Sequence, residues 1–141
     1  MLDPFDKSAT TEEKIRDFLT FPKGWHAGEG HGPNQETVDK ALTVLSEMRK
    51  AGFCKTDAFP GVWGEIEVDA YLGVHCLDFI VEVNGTITSA YEVGKEDVEY
   101  EERIPFENAI KLLNEWAKRI FSSSESSRAA IGDQRAIGSP V

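Results

Sequence analysis

The residues of this chain that could do chemistry are carboxylates set at every second position of consecutive short segments. Glu65, Glu67 and Asp69 alternate with Ile66, Val68 and Ala70, Asp78 and Glu82 alternate with Leu77, Phe79 and Val81, and Glu92 follows Tyr91. Side chains two apart on an extended strand share a face, so the acids line one side and the apolar residues the other. Turn geometry then decides which acids meet. A two-residue type II′ turn at Gly73-Val74 sets Leu72 against His75, Ala70 against Leu77, Val68 against Phe79 and Ile66 against Val81, placing Asp69 opposite Asp78. A three-residue loop at Asn84-Gly85-Thr86, with Gly85 left-handed, sets Val83 against Ile87, Val81 against Ser89, Phe79 against Tyr91 and Leu77 against Val93. It places Asp78 opposite Glu92. Like charges directly opposite one another destabilise a sheet, so the row calls for a cation, a basic partner or a lysine or arginine from a nearby loop. The alternative is that water and salt screen it.

Other reactive side chains form no such pattern. His26, Glu29 and His31 lie in a glycine-rich loop without the short ligand spacings of a zinc site. Cys54 and Cys76 have no histidine or carboxylate partner that spacing identifies, and His75 reads as an exposed residue beside the Gly73-Val74 turn. No glycine-rich phosphate loop is present. The sequence therefore identifies no catalytic residue and no metal-ligand set, and it calls for no cofactor. Its 25 acidic and 15 basic side chains give a net charge of −10. That excess argues against nucleic acid as a direct ligand, because phosphate binding needs lysine and arginine clusters. It favours a basic partner, a metal cation or solubility alone.

The elements that must hold these acids follow from periodicity. Thr10-Thr11-Glu12-Glu13 is a capping box, and Ile15, Phe18 and Leu19 share one face of a short helix over 11–20, ended by Pro22. Residues 23–33 bend as a loop anchored by Trp25. Asn34 caps a second helix that Gly52 ends, with Val38, Ala41, Leu42, Leu45 and Met48 as its apolar stripe. The β-meander follows, and the alternation of Val98 and Tyr100 with Asp97, Glu99 and Glu101 allows a fourth, edge strand within 94–104. Pro105 opens a last helix whose stripe is Phe106, Ala109, Ile110, Leu113, Trp116, Ala117 and Ile120. The expected fold is α+β: an antiparallel three- to four-stranded β-meander packed against two to three helices. One domain spans 1–121, followed by a disordered tail over 122–141 in which Glu125 and Asp133 cancel Arg128 and Arg135, leaving the whole charge excess to 1–121. No signal segment and no membrane-length apolar run is apparent, and the cysteines read as free thiols of a reducing, cytoplasmic setting.

Two resemblances bear on function. A helix, a three-strand meander and a helix resemble the core of the PD-(D/E)xK nucleases, with Asp78 in the place of the aspartate and Glu92-Val93-Gly94-Lys95 approaching the Glu-x-Lys pair. The extra residue puts Lys95 on the other face of a regular strand unless Gly94 forms a bulge. The segment Phe21-Pro22-Lys23-Gly24-Trp25-His26-Ala27-Gly28-Glu29-Gly30 resembles the P-x-G-W-D-G-x-G-A-x-P loop of a family of small bacterial and phage-associated proteins. In that family the loop precedes a helix, a meander and a final helix. His26 stands where the family has aspartate, and Ala27 lengthens the loop by one residue. The resemblance implies a mobile-element or defence setting, in which small acidic proteins act by binding other proteins.

The expected function is a non-catalytic binding module. Its acidic face (Asp69, Asp78 and Glu92, with Glu65, Glu67 and Glu82) engages a basic surface, as an inhibitor of a nucleic-acid-handling enzyme in a defence, anti-CRISPR or toxin–antitoxin setting would. The partner is a protein, with no direct nucleic acid and no membrane. The alternatives are a metal-dependent hydrolase using Asp78 and Glu92, and an accessory subunit using an apolar patch near Trp25, Phe59 and Trp63.

Overall fold

A computed structural model describes the backbone of residues 10–138 and the side chains of 10–122. Helix α1 (Thr11–Asp17) continues as a 3-10 turn over Phe18–Thr20, and helix α2 covers Gln35–Ala51. Five strands follow: β1 (Lys55–Pro60), β2 (Ile66–Leu72), β3 (His75–Val81), β4 (Ile87–Val93) and β5 (Glu96–Ile104). Helix α3 runs over Phe106–Gly138. Of the tail expected to be disordered, 122–141, the side chains of 123–138 and the whole of 139–141 lie outside the described residues. The fold is α+β, an antiparallel sheet in the order β1-β2-β3-β4-β5 with the helices on one face.

The starts of α1 and α2 and the end of α2 form where the sequence places them. Thr10 Oγ1 accepts from the Glu13 backbone N–H at 3.1 Å while Glu13 Oε2 accepts from the Thr10 N–H at 3.4 Å, completing the capping box. Asn34 Oδ1 accepts from the Thr37 N–H at 2.8 Å, and Gly52 closes α2 at φ 115°. Thr10→Ala leaves the Glu13 N–H without its side-chain partner. It is expected to cost about 1 kcal/mol, read as a lower urea midpoint with an unchanged slope.

Alternation sets the sheet's two faces. Ile66, Val68 and Ala70 of β2, Leu77, Phe79 and Val81 of β3, and Ile87, Ser89 and Tyr91 of β4 are buried under the helices. From α2 come Val38, Ala41, Val44, Leu45 and Met48, and from α3 Ala109, Leu113, Trp116, Ala117 and Ile120. Trp116 is fully buried between Phe79 and Tyr91, each 5.8 Å away between ring centres, and its indole N–H donates to Glu99. Burying a side chain of that size is worth roughly 3 kcal/mol or more, so this contact fixes where α3 sits on the sheet.

Three features differ from the sequence reading. Strand β1 is an addition: its helix-facing positions are Thr56, Ala58 and Pro60, paired with Ala70, Val68 and Ile66, and Ala58 alone supplies a small buried apolar side chain. The fourth strand allowed within 94–104 is β5, so the sheet holds five. The third difference is a register. The β2–β3 hairpin pairs Leu72 with His75 and Ile66 with Val81, as the Gly73-Val74 turn requires, with Gly73 at φ 60°. The β3–β4 hairpin pairs Val81 with Ile87 and Leu77 with Tyr91, two residues away from expectation. Its longer loop is held by Glu82 N–H to the Thr86 carbonyl and Gly85 N–H to the Glu82 carbonyl, both 2.9 Å, while Asn84 Oδ1 accepts from the Thr86 N–H at 3.0 Å. A shift of two keeps every side chain on its face, so the apolar pattern accepts either register.

Candidate functional site

The candidate site lies on the sheet face opposite α2 and α3, where Glu67, Asp78 and Glu92 are half-exposed. That face is built from the alternate positions of each strand: Asp57 and Phe59 of β1, Glu67, Asp69 and Tyr71 of β2, Cys76, Asp78 and Ile80 of β3, and Thr88, Ala90 and Glu92 of β4. Asp57, Asp69 and Asp78 stand directly opposite one another across three strands.

The register shift corrects the expected row. Asp78 faces Ala90, and Glu92 faces Cys76, so Asp78 and Glu92 are diagonal neighbours rather than a direct pair. They still converge. Cys76 Sγ and carboxylate oxygens of Asp78 and Glu92 all lie within 4.8 Å of one another, as do carboxylate oxygens of Glu67, Asp69 and Asp78. Asp78 therefore joins two acidic clusters. The remaining expected acids are otherwise engaged. Glu65 folds back on the β1–β2 turn, where its Oε1 accepts from the Trp63 N–H at 2.9 Å, and Glu82 accepts from the Thr88 hydroxyl at 2.7 Å near the end of the face.

Asp69 is the centre of the row and its most constrained member. It is only 4% exposed. Its Oδ2 accepts from the Tyr71 hydroxyl at 3.2 Å, while its Oδ1 is buried with no hydrogen-bond partner. The side chains that interact with the Asp69 carboxyl beyond Tyr71 are the carboxylates of Asp78 and Glu67, which are acceptors too, so a hydrogen bond among the three forms only when a proton is shared between them. Burial first, and then Asp78 and Glu67, push the Asp69 carboxyl up to about 10. Burial and Asp78 likewise raise Glu92 above the usual carboxylate range. The Cys76 thiol, which donates to Asp78 Oδ1 at 3.1 Å, is pushed up by burial and by the same carboxylate, and Tyr71 by burial and Asp69. A thiol held protonated this way is a poor nucleophile.

Compensation by a basic side chain exists at one end only. Lys14 of α1 reaches Asp57 at 2.6 Å and lies 4.9 Å above the Phe59 ring. Among the described residues no lysine or arginine pairs with Glu67, Asp69, Asp78 or Glu92. Lys95 is exposed in the turn between β4 and β5, after the last residue of β4, so it does not join Asp78 and Glu92 as the nuclease arrangement would require.

Comparison with protein-family models, with curated proteins and with solved structures gives no match. Function therefore rests on the geometry of this face. Two shallow grooves, of about 260 Å³ between β5 and α3 and about 320 Å³ beside the end of α2, lie away from the acidic row.

The glycine-rich loop has a structural task. Trp25 is half-buried against Phe21, and the loop docks on the β1–β2 turn through the His31 N–H and the Val62 carbonyl at 2.9 Å. His26 and Glu29 pair through their backbones, and His31 stacks edge-on toward the exposed Trp63, so the two histidines do not form a ligand set with Glu29. Phe59 and Trp63 are exposed at the β1 side of the molecule. His75, read from sequence as an exposed turn residue, is half-buried with a ring nitrogen 3.0 Å from the Tyr91 hydroxyl.

The sequence reading left three members of the face out of its site. Alternation puts Tyr71 and Cys76 at the same positions as the acids, but it gives no sign that they bond to them. Asp57 had no signal, because β1 carries too little apolar alternation to be seen. Among the described residues no helix is long and apolar enough to cross a membrane.

Proposed function

We propose that this chain is a non-catalytic protein-binding module whose open acidic sheet face takes the basic surface of a partner. The observation that carries the reading is the carboxylate row across β1 to β4, in which half-exposed Asp57, Glu67, Asp78 and Glu92 surround the buried Asp69. A sheet gains nothing in stability from acids facing acids, and burying one of them costs more. A feature retained against folding stability is expected where function requires it. Phe59 and Tyr100 are exposed on the same face, flanking the acids with aromatic surface of the kind that anchors protein interfaces. Carboxylates in a row offer a basic protein what phosphates offer, so the partner class is a protein that handles nucleic acid. An inhibitor or antitoxin role follows from that chemistry.

The test uses Glu67→Lys/Glu92→Lys, because both residues are half-exposed whereas a lysine at buried Asp69 would disturb the fold. Wild type and variant, each verified by circular dichroism, are used to capture proteins from the source cell, and the captured protein is identified and purified. The expected result is a partner with a basic surface, bound by wild type and lost by the variant. The affinity of the reconstituted pair should fall about tenfold or more from low to physiological salt. A purified pair indifferent to both salt and the variant would overturn the proposal.

A further inference from the structure

We propose that Glu67, Asp69 and Asp78 form a site for one divalent cation of the hard, oxygen-preferring class, at the centre of the open sheet face. Three carboxylates supply the donors, from two adjacent strands whose register fixes Asp69 directly opposite Asp78. Their oxygens lie within 4.8 Å of one another. Cation–oxygen bonds of about 2.1 Å in octahedral geometry separate ligand oxygens by roughly 3–4 Å, so small side-chain movements bring the three onto one ion.

Acids in a cluster are common on protein surfaces. What distinguishes this one is Asp69, a residue only 4% exposed that gives one carboxylate oxygen to the cluster and whose Oδ1 is buried with no hydrogen-bond partner. A buried carboxylate oxygen without a donor costs free energy, and native structures rarely leave one so. The usual donors are committed elsewhere. The Tyr71 hydroxyl is on the other Asp69 oxygen, the Cys76 thiol is on Asp78, and Lys14 is on Asp57. Tyr71 fixes the Asp69 carboxylate through Oδ2, as outer-shell partners hold metal ligands. Glu67 and Asp78 are half-exposed, which gives an ion a path in and leaves room for waters to complete its coordination. An all-oxygen donor set with retained water suits Mg²⁺, Mn²⁺ or Ca²⁺ better than Zn²⁺. This site lies within the row on which the protein-binding reading rests, but its test reads cation binding alone, so either can fail while the other stands.

Mn²⁺ is the probe. The full chain, freed of metal with EDTA and dialysed, is titrated with Mn²⁺ by calorimetry, and free Mn²⁺ is counted by electron paramagnetic resonance. The expected result is one ion per chain, and a melting temperature that rises as Mn²⁺ is added past its dissociation constant. Asp78→Asn and Glu67→Gln should each weaken binding about tenfold or more, while Glu107→Gln, exposed at the start of α3, leaves it unchanged. Glu67→Gln alters a half-exposed side chain and guards against a folding defect in Asp78→Asn. Absence of binding at millimolar Mn²⁺, Mg²⁺ and Ca²⁺ overturns the proposal. So does binding of equal strength in both folded variants, which would mark adsorption to the acidic surface at large.

Discussion

Asp69→Asn is expected to stabilise the metal-free protein at pH 8 by on the order of 3 kcal/mol, and to have little effect at pH 4. The sign follows from the direction of the shift. Asp69 has an ordinary value of 3.8 that folding pushes up to about 10, so between those limits the folded chain must hold a proton that the unfolded chain has released. A group raised in this way contributes its full stability below about pH 4 and loses it progressively as pH rises toward 10. The groups facing Asp69 add to the effect or leave it unopposed: Asp57 on β1, Glu67 and Tyr71 on its own strand, and Asp78 and Cys76 on β3. Lys14, which pairs with Asp57 across from Asp69, is already committed there. Asparagine keeps the size of the side chain and cannot ionise, and its amide can donate to Asp78 or Glu67 where the aspartate oxygen has no partner. Water and side-chain movement relax such a cluster, which holds the effect to this size. Urea denaturation of both proteins at pH 4, 6 and 8 with EDTA reads the result. A variant less stable than wild type at pH 8 would mean that Asp69 is ionised and compensated in the folded state.

The same imbalance links the readings of this face. A proton on Asp69, an amide in its place, a cation among Glu67, Asp69 and Asp78, and a basic side chain from a partner are four ways to offset one excess of negative charge. They differ in reach. The proton and the amide act on one oxygen pair, the cation on three carboxylates, and a partner on the whole face from Asp57 to Glu92. A partner that relieved the central cluster as well as the rim would gain affinity from a cost already present in the free protein, which is how preorganised charge favours association.

Much of the face was legible because strand periodicity is strict. Alternation alone separated Val68 and Phe79, which are buried under the helices, from Asp69 and Asp78 on the open side, and the Gly73-Val74 turn fixed their register. The β3–β4 hairpin was read wrongly for a physical reason. Registers two apart keep the same faces, so the choice passed to loop chemistry, and Asn84 bonding to Thr86 favours the longer loop. That change moved Glu92 from Asp78 to Cys76. Strand β1 was invisible because an edge strand can hold its place by backbone pairing and one buried alanine, and neither leaves a pattern. The burial of Asp69 was equally hidden. It depends on Tyr71 and on the neighbouring strands β1 and β3, and alternation reports which face a residue is on but not how deep it lies.

Gly30→Ala is the second large effect expected, a loss of about 3 kcal/mol or more, against about 1 kcal/mol for Gly28→Ala two residues earlier. Both glycines have left-handed backbones, with φ of 78° at Gly30 and 91° at Gly28, so both substitutions carry the strain of an L-residue there. They differ in surroundings. A Cβ at Gly28 meets nothing within 4 Å, whereas at Gly30 it would lie 2.1 Å from the Val62 carbonyl oxygen and 2.6 Å from Val62 Cγ1. The oxygen belongs to the backbone of the β1–β2 turn and accepts the His31 N–H at 2.9 Å, so it cannot move without breaking the contact that docks the loop. Gly30 also accepts the Gly24 N–H at 2.8 Å, which closes the loop around Trp25. An alanine at this position therefore pushes the loop off the turn, exposes Trp25 and frees the end of β1 that carries Phe59 and Pro60. Chemical denaturation of the two variants, with tryptophan fluorescence as one probe and circular dichroism as the other, separates the cases. Equal losses would show that strain alone decides. A much larger loss at Gly30 would show that the glycines of the Gly-Trp loop serve close packing against β1 and β2, and that the loop's task is to hold the edge of the acidic face in place.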